Sequence, residues 1–279
     1  MAGSWRLLLD GAAPGPFNMG VDEALLATAI RDGTPSLRFY AWQGPWLSLG
    51  YAQARDAIQA RRLRAAGVGW VRRVTGGRAV LHGSDLTYSI AAREDELPSG
   101  VRASYAVVAE ALLEALRSLG VPAARSPSES TAPGTSVFDC FQEPAPEEIC
   151  LAGKKLSGSA QRRVGGAFLQ HGSIRLAPDP EHAVRAVVPG RPALGGTSLV
   201  EEGAPVSREV LQEACCEALA GLVGVSLVRC SLSAAELREA RSRGSEPATV
   251  SDCEEGEDAG LASLDSPAGP PQESPSSTR

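Results

Sequence analysis

The chain has 279 residues, of which 43% are hydrophobic and 22% are charged, as in a globular protein with one large domain or two small ones. It has no apolar run as long as the roughly 18 residues that a membrane-spanning helix needs, and it has no signal-peptide core. We therefore expect a cytoplasmic protein without membrane contacts. The net charge of −6 comes from residues 244–279, whose eight acids and one arginine give this segment a charge of −7. The rest of the chain is therefore at +1, which argues against a nucleic-acid-binding surface.

The spacing of apolar residues predicts three helices. The first covers residues 19–30 and stops near Gly33, the second is capped by Ser104 and closed by Gly120, and the third begins at Ser207. The residues of the third helix that we expect to point inward are Val210, Leu211, Ala214, Leu219 and Leu222.

Strands are predicted between these helices. LRFYAWQ and WLSLGYA flank Gly44 and Pro45 as a hairpin, and LTYSI alternates like a half-buried strand. AGKKLSGSAQRR and GAFLQHGSIRL form an antiparallel pair. Because strands and helices follow in an irregular order, the predicted fold class is α+β, with a mixed, largely antiparallel β-sheet flanked by helices.

Two stretches look unlike core elements. Residues 123–148 are rich in proline and serine, and long loops of this kind are usually functional or disordered. Residues 244–279 combine acids, serine, proline and glycine with few large apolar residues, which predicts a disordered tail. We therefore place a folded domain at residues 1–243.

RRVTGGRAVLHGS offers a backbone that a ligand can approach closely, because Gly76 and Gly77 separate two strands. The flanking Arg72, Arg73 and Arg78 could hold an anionic group such as a phosphate. A glycine hairpin turn beside solvated arginines explains the same pattern, so the pattern leaves both interpretations open.

Lys154 and Lys155 are the only lysines in the chain, beside 25 arginines. Strand alternation places Lys155 and Ser157 on one face. A compact ammonium can donate to a developing oxyanion where a guanidinium fits poorly, although a lysine pair is more often a solvated strand end.

The cysteines lack C-x-x-C spacing, which predicts reduced thiols and neither disulfides nor a metal site. Cys140 lies between aromatic residues in the long loop and is a candidate nucleophile if a cation favours its thiolate. His82 and His171 each end a strand and can polarise a thiol or satisfy a carbonyl. These features indicate acyl- or phosphoryl-group handling without choosing between them.

Five segments, in order, resemble the catalytic domain of the biotin/lipoate–protein ligase family. They are NMGVDEALL, LRFYAWQGPWLSLGYAQ, RRVTGGRAVLH, GKKLSGSAQRR and LQHGSI, and the resemblance spans residues 17–241. The lipoate branch fits better than the biotin branch, whose Gly-Arg-Gly-Arg-type loop is absent. Within that branch, DCF ahead of the lysine motif resembles the nucleophile position of the cysteine-dependent octanoyltransferases.

The resemblance implies a ping-pong transfer of octanoyl from acyl carrier protein, through a Cys140 thioester, to a lysine of a lipoyl-domain protein such as the glycine-cleavage H protein. Lys155 matches the family's catalytic lysine and is expected to stabilise the tetrahedral oxyanion. Cys150 is close enough in sequence to be a rival thiol. The residues expected to line the acyl and thioester site are Arg73, Gly76, Gly77, His82, Ser157, Gly158, Gln161 and His171.

The resemblance also implies that no cofactor, metal or nucleotide is needed, and a monomer is the default expectation. Three alternatives remain open. An ATP-dependent lipoate–protein ligase would need no thiol, and an amidotransferase would move octanoyl between lipoyl domains. A non-catalytic module would bind acyl chains or lipoyl domains without turnover.

Overall fold

The computed structural model describes residues 3–53, 59–126, 148–190 and 194–244, which form two β-sheets, six α-helices and one short 3-10 helix (Glu94–Glu96). The strands are β1 (Ser4–Ala13), β2 (Ser36–Trp42), β3 (Trp46–Leu49), β4 (Gly69–Arg72), β5 (Val80–His82), β6 (Asp85–Arg93), β7 (Ala124–Arg125), β8 (Ile149–Leu151), β9 (Lys154–Val164), β10 (Ala167–Arg175) and β11 (Ser226–Arg229). The helices are α1 (Gly15–Asp32), α2 (Ala60–Ala65), α3 (Val101–Ser118), α4 (Glu181–Val187), α5 (Arg208–Val223) and α6 (Ala234–Gly244).

The larger sheet has eight strands in the order β11-β1-β2-β6-β10-β9-β8-β7. The pairs β11–β1 and β1–β2 are parallel, and the remaining pairs are antiparallel. This mixed, largely antiparallel sheet with helices packed against it confirms the predicted fold class.

The smaller sheet has the order β4-β3-β5, and it corrects the predicted hairpin. Although β2 and β3 are adjacent in sequence, β2 pairs with β1 and β6 in the larger sheet. Instead, β3 pairs in parallel with β4 and antiparallel with β5. The turn at Gly44 and Pro45 therefore passes the chain from one sheet to the other, and β3 separates the two strands that flank the glycine loop.

Both faces of the larger sheet are covered, so its central strands are buried throughout. Leu86, Tyr88 and Ile90 of β6 pack in one core cluster with α3 and α5. Ala91 joins a second cluster with residues of α1 and with Ala240 of α6. The prediction that LTYSI is half-buried is therefore wrong, because α1 covers the face that the alternation assigned to solvent.

The predicted helices form, with changes at their ends. Gly33 closes α1 in the left-handed conformation, and Ser207 caps α5 by accepting the backbone N–H of Val210. Ser104 lies inside α3, where its hydroxyl donates to the carbonyl of Gly100, so it is not the cap. Val210 and Leu222, predicted to point inward, are 46% and 44% exposed. No described helix is both long and apolar enough to cross a membrane.

The C-terminal helix α6 was not predicted, although its first turn carries a recognisable cap. Ser233 and Glu236 exchange backbone and side-chain hydrogen bonds at 2.7 and 3.2 Å, as in an S-x-x-E capping box. The helix packs on α1, where a Cβ at Gly20 would lie 2.3 Å from the Ala240 carbonyl oxygen, so only glycine permits this approach. The predicted boundary at residue 243 falls within the last turn of α6, and residues 245–279 lie outside the described part.

Candidate active site

A cavity opens between the two sheets, beside Met19 in the N-terminal part of α1. Five of the predicted site residues line it, namely Arg73, Gly77, His82, Gly158 and His171. The other lining residues are Met19, Tyr40, Trp42, Ser48, Val80, Thr87, Ser159, Ala160, Gly172 and Ser173. The fold thus brings together residues from the glycine loop and from β9 and β10, which are about 80 or more residues apart in sequence.

The first polar chain in the cavity wall runs from Asp85 through His82 to Ser48. His82 Nδ1 lies 2.9 Å from Asp85 Oδ2, and its Nε2 lies 2.8 Å from Ser48 Oγ. Burial alone would raise the pKa of Asp85, but His82 and hydrogen bonds from Ser173 and the Gly83 N–H hold that pKa below its usual value. An ionised carboxylate only accepts, so His82 donates through Nδ1, and Asp85 fixes the ring.

The second chain runs from Asp22 through His171 to Thr75. His171 Nδ1 lies 3.1 Å from Asp22 Oδ2, and its Nε2 lies 2.6 Å from Thr75 Oγ1. Burial lowers the pKa of His171, more than Asp22 raises it, so the ring is neutral near pH 7. Nδ1–H therefore donates to Asp22, and Nε2 accepts the hydroxyl of Thr75.

Asp22 is the hub of the second chain. Besides His171, its carboxylate accepts hydrogen bonds of 2.7–2.9 Å from Arg38, Tyr40 and Ser89. Burial would raise the pKa of Asp22, but the His171 hydrogen bond and the Arg38 charge lower it below its ordinary value. The carboxylate is therefore ionised and holds β2, β6 and β10 against α1.

Arg73 fixes the glycine loop through its guanidinium. It donates to the backbone carbonyls of Ser48, Gly76 and Arg78 and to the Ser48 hydroxyl, all within 2.7–2.9 Å. Gly77 follows in the left-handed region at φ +91°, a conformation that glycine adopts without cost. Gly76, predicted to contact substrate, does not line the cavity and serves here as an acceptor for Arg73.

Arg72 is engaged in the same way on the neighbouring loop. Its Nη1 donates to the carbonyls of Gly50, Tyr51 and Gln53 at 2.7–3.0 Å. A Cβ at Gly50 would lie 1.9 Å from the carbonyl oxygen of Gly77, so the two loops touch through bare backbone. Arg72 and Arg73 thus organise loops, because Arg72 Nη1 is directed at backbone carbonyls and Arg73 at carbonyls and the Ser48 hydroxyl.

Lys155 is buried at the start of β9, and a β-bulge decides which face it takes. Ile149 pairs with Ser157 but Cys150 pairs with Lys155, so Leu156 is one extra residue on β9. Leu156 and Ile149 both enter the core cluster of α3 and α5. The extra residue breaks the alternation that predicted a shared face for Lys155 and Ser157, and it turns Lys155 to the cavity side of the sheet.

Lys155 does not line the cavity itself. Gly158 and Ala160, which do, follow three and five residues later, about 10 and 17 Å along the strand. The Lys155 ammonium lies 2.6 Å from the carboxylate of Glu148, and both side chains are buried. Lys155 thus adds a buried ammonium on the same strand as residues that line a mostly apolar cavity.

The structure does not place Ser157 and Gln161 among the lining residues. Ser157 lies opposite Ile174, which belongs to the core on the α3 side. The side chain of Gln161 donates to the hydroxyl of Ser104 in α3 and to the amide of Gln170. Both residues support β9 from the face away from the cavity.

Three of the described cysteines have a raised thiol pKa, which makes them poor nucleophiles. Burial, followed by the Glu148 carboxylate, raises the pKa of Cys150, the predicted rival thiol. Burial likewise raises the pKa of Cys215 well above its usual value and that of Cys216 to about 12, and both lie on α5. Cys140, the leading candidate, lies outside the described residues.

Sequence reasoning missed the acidic partners of the site. Asp22 stands inside the first predicted helix, among Leu25 and Leu26 on a buried face, where an unpaired carboxylate would be costly. Asp85 follows His82 by three residues across a tight turn. The sequence signal for Asp22 was a carboxylate on the apolar face of a predicted helix. The signal for Asp85 was the His-x-x-Asp spacing from His82.

Comparison with known proteins places this chain in a family. Residues 14–220 match the lipoyl protein ligase A/B catalytic domain. The octanoyltransferase LipM of Symbiobacterium thermophilum is 37% identical over 260 residues, which cover 87% of this chain and 94% of that protein. The octanoyltransferase LipM of Kyrpidia tusciae is 41% identical over 254 residues, covering 84% and 92%.

Solved structures share the fold. A lipoate-protein ligase A bound with ATP superposes with a TM-score of 0.72 at 23% identity and covers 88% of this chain and 95% of its own. Ta0514, a putative lipoate protein ligase from T. acidophilum with bound lipoic acid, gives 0.70 at 22%, covering 87% and 94%. The match and the relatives confirm the family resemblance of the five motifs. The chain belongs to the lipoyl protein ligase A/B catalytic domain family.

Proposed function

We propose that the protein is an octanoyltransferase that places an octanoyl group on a lysine of a lipoyl-domain protein. Relatives from two bacteria, 37% and 41% identical over most of the chain, are octanoyltransferases. A structural neighbour of the same fold is a lipoate protein ligase studied with its E2 lipoyl domain. The observation that carries the proposal is the cavity, whose wall suits an aliphatic chain and includes residues of β9, the strand that also carries Lys155.

The polar groups of the cavity wall are directed at one another. Ser48 is bonded to His82 and Arg73, and Thr87 donates to Asp85 while accepting the indole N–H of Trp42. A ligand that enters such a chamber gains little from hydrogen bonding and most from burial of apolar surface. This supports an acyl chain over a polar metabolite as occupant.

Two other polar lining residues, Ser173 and Ser159, are also hydrogen-bonded to neighbouring side chains. Ser173 donates to Asp85 at 2.6 Å, and Ser159 shares a hydrogen bond of 2.7 Å with Tyr88. Met19, Trp42 and Val80, with the backbone of the three lining glycines, supply apolar surface. Each methylene of an eight-carbon chain that enters would contribute about 0.8 kcal/mol.

Lys155 is proposed to stabilise the oxyanion that forms when the acyl carbonyl is attacked. Its ammonium is buried on the cavity side of β9, where a low dielectric strengthens its interaction with a developing negative charge. Loss of one such donor commonly lowers the rate by on the order of a hundredfold or more.

The chemistry proposed is a two-step transfer through Cys140. Its thiolate attacks the carbonyl of octanoyl-acyl carrier protein, a new C–S bond forms, and the donor's pantetheine thiolate leaves and takes a proton. The amine of the acceptor lysine then attacks this thioester, an amide forms, and the Cys140 thiolate leaves. The raised pKa values of Cys150, Cys215 and Cys216 support the choice of Cys140 over those three thiols.

Intact-protein mass spectrometry tests the proposal. The protein is mixed with octanoyl-acyl carrier protein without ATP, beside Cys140→Ala and, as matched control, Cys150→Ala. We expect one octanoyl adduct that hydroxylamine removes, present in the wild type and in Cys150→Ala and absent from Cys140→Ala. An adduct on Cys140→Ala that Cys150→Ala lacks would move the nucleophile to Cys150. The absence of any adduct or octanoylated acceptor without ATP, with modification of a lipoyl domain by lipoate and ATP, would replace the transferase with a ligase.

A further inference from the structure

Two adjacent lysines at the start of β9 each form an ion pair, and the two pairs differ in burial. Lys155 Nζ lies 2.6 Å from Glu148 Oε1, with the side chains 2% and 7% exposed. Lys154 Nζ lies 3.0 Å from Glu202 Oε1, but its side chain is 60% exposed. Only the Lys155 pair has been taken out of water, so only that pair carries a large desolvation cost.

A buried ion pair is weak evidence for a role in stability, because an apolar pair of similar size often stabilises a protein as well or better. The neighbouring Ile149, Leu151 and Leu156 fill the main core on the α3 side of the sheet, and Lys155 faces the other side, so that core does not need the pair. A charge retained there at such cost points to a requirement for the charge itself.

Glu148 is held in place from its backbone. Its carbonyl oxygen accepts the backbone N–H of Ser126 at 2.7 Å, and it directly precedes β8, whose Ile149 and Leu151 are buried. Cys150 of β8 stands opposite Lys155 in the strand pairing. The carboxylate thus projects from a fixed point onto the ammonium across one strand spacing.

We propose that Glu148 is a positioning residue for octanoyl transfer, which holds the ammonium of Lys155 in the place where the acyl oxyanion forms. The inference rests on the proposed function, because it gives Glu148 its role through Lys155. An ammonium has three N–H donors, and a carboxylate that engages one of them fixes the direction of the other two. A misplacement of about 1 Å can cost on the order of a hundredfold in rate, which is the scale of effect at stake.

The first test compares three single variants in steady-state octanoyl transfer. Glu148→Gln keeps the size of the side chain and an acceptor oxygen but removes the charge, so we expect kcat to fall about 10- to 100-fold with KM for the acyl donor within about twofold. Glu148→Asp keeps the charge and should recover part of kcat. The matched control Glu202→Gln breaks the exposed pair of Lys154 and should transfer at the wild-type rate.

A double variant separates positioning from a structural role. If Glu148 acts through Lys155, then Lys155→Gln combined with Glu148→Gln should be no slower than Lys155→Gln alone. This variant removes both charges of the pair described here, so it should fold even where Glu148→Gln is destabilised by the lone Lys155 ammonium. Losses that multiply in the double variant, or a wild-type kcat in Glu148→Gln, would overturn the inference.

The same experiment distinguishes this inference from the proposed function. If wild-type protein fails to transfer octanoyl, the proposed function falls before any variant is compared. If the wild type transfers and Lys155→Gln is slow while Glu148→Gln is not, octanoyl transfer and the role of Lys155 stand and only the role of Glu148 is refuted. A slow Glu148→Gln beside a fully active Lys155→Gln would also refute it.

Discussion

Asp22→Asn should destabilise the protein strongly, because Asp22 is buried and accepts four hydrogen bonds. Its carboxylate faces the guanidinium of Arg38 at 2.9 Å, and both side chains are at most 1% exposed. Removal of one partner of a buried ion pair costs about 3–5 kcal/mol. Asparagine keeps the volume and one acceptor oxygen, so we expect a loss of about 3 kcal/mol, a large share of a typical 5–15 kcal/mol.

The measurement is the free energy of unfolding in urea, by intrinsic fluorescence, for the wild type, Asp22→Asn and a control. Asp95→Asn is the control because its ion pair with Arg93 spans 3.4 Å and its side chain is 74% exposed. The control should change the free energy by less than about 0.5 kcal/mol. A loss below about 1 kcal/mol in Asp22→Asn would refute the reasoning that its charge organises the site.

The pH dependence gives the same prediction a second readout. Since the folded-state pKa of Asp22 lies below its ordinary value, the unfolded chain binds more protons, and the stability that Asp22 contributes is present above about pH 4 and lost below it. The free energy of unfolding of the wild type should therefore fall between about pH 5 and pH 3 more steeply than that of Asp22→Asn. Equal slopes would contradict this.

Three further predictions concern the loop, the cavity and the lysine. Gly50→Ala should lower the free energy of unfolding by about 1–3 kcal/mol in urea, because its Cβ would meet a carbonyl oxygen at 1.9 Å, whereas Gly11→Ala, with nothing within 4 Å, should not; equal losses would contradict the close approach. Ala160→Leu should weaken transfer of octanoyl relative to butanoyl about fiftyfold in competition assays, since about three methylenes near 0.8 kcal/mol each lose room, and unchanged selectivity would exclude Ala160 from the chain's path. Lys155→Arg should lose on the order of a hundredfold in transfer rate while Lys154→Arg keeps it, and an active Lys155→Arg would refute the need for an ammonium.

The sequence analysis predicted those elements that are determined by residues close together in the chain. The β9–β10 hairpin follows from two alternating segments joined by Gly165 and Gly166, which take left-handed conformations in the turn. The third helix follows from its cap at Ser207 and its apolar spacing. In each case the residues that determine the element are neighbours in the chain, so the element itself is predicted correctly, although Val210 and Leu222 of the third helix are exposed.

The predictions failed where partners are distant in sequence. The segment WLSL resembles the second half of a hairpin, yet its partners are β4 and β5, because pairing with them buries Leu47 and Leu49 against the small-sheet core. The face of Lys155 was misassigned because one extra residue, Leu156, interrupts the alternation, and only the β8 register reveals the bulge. Neither fact can be read from a single strand.

The contrast between the buried cations supports the proposed need for a lysine rather than an arginine at position 155. Arg38 is fully buried, and its guanidinium donates to the carboxylates of Asp10 and Asp22 and to two oxygens of Asn18. Arg73 likewise requires four acceptors from the protein. A buried guanidinium is costly unless its fork of donors is filled in the resting state, so it is fully committed before a substrate arrives. An ammonium needs at most three acceptors and can exchange one of them for an oxygen that gains its charge only during the reaction, which is the exchange that we propose Glu148 assists by holding the ammonium in place.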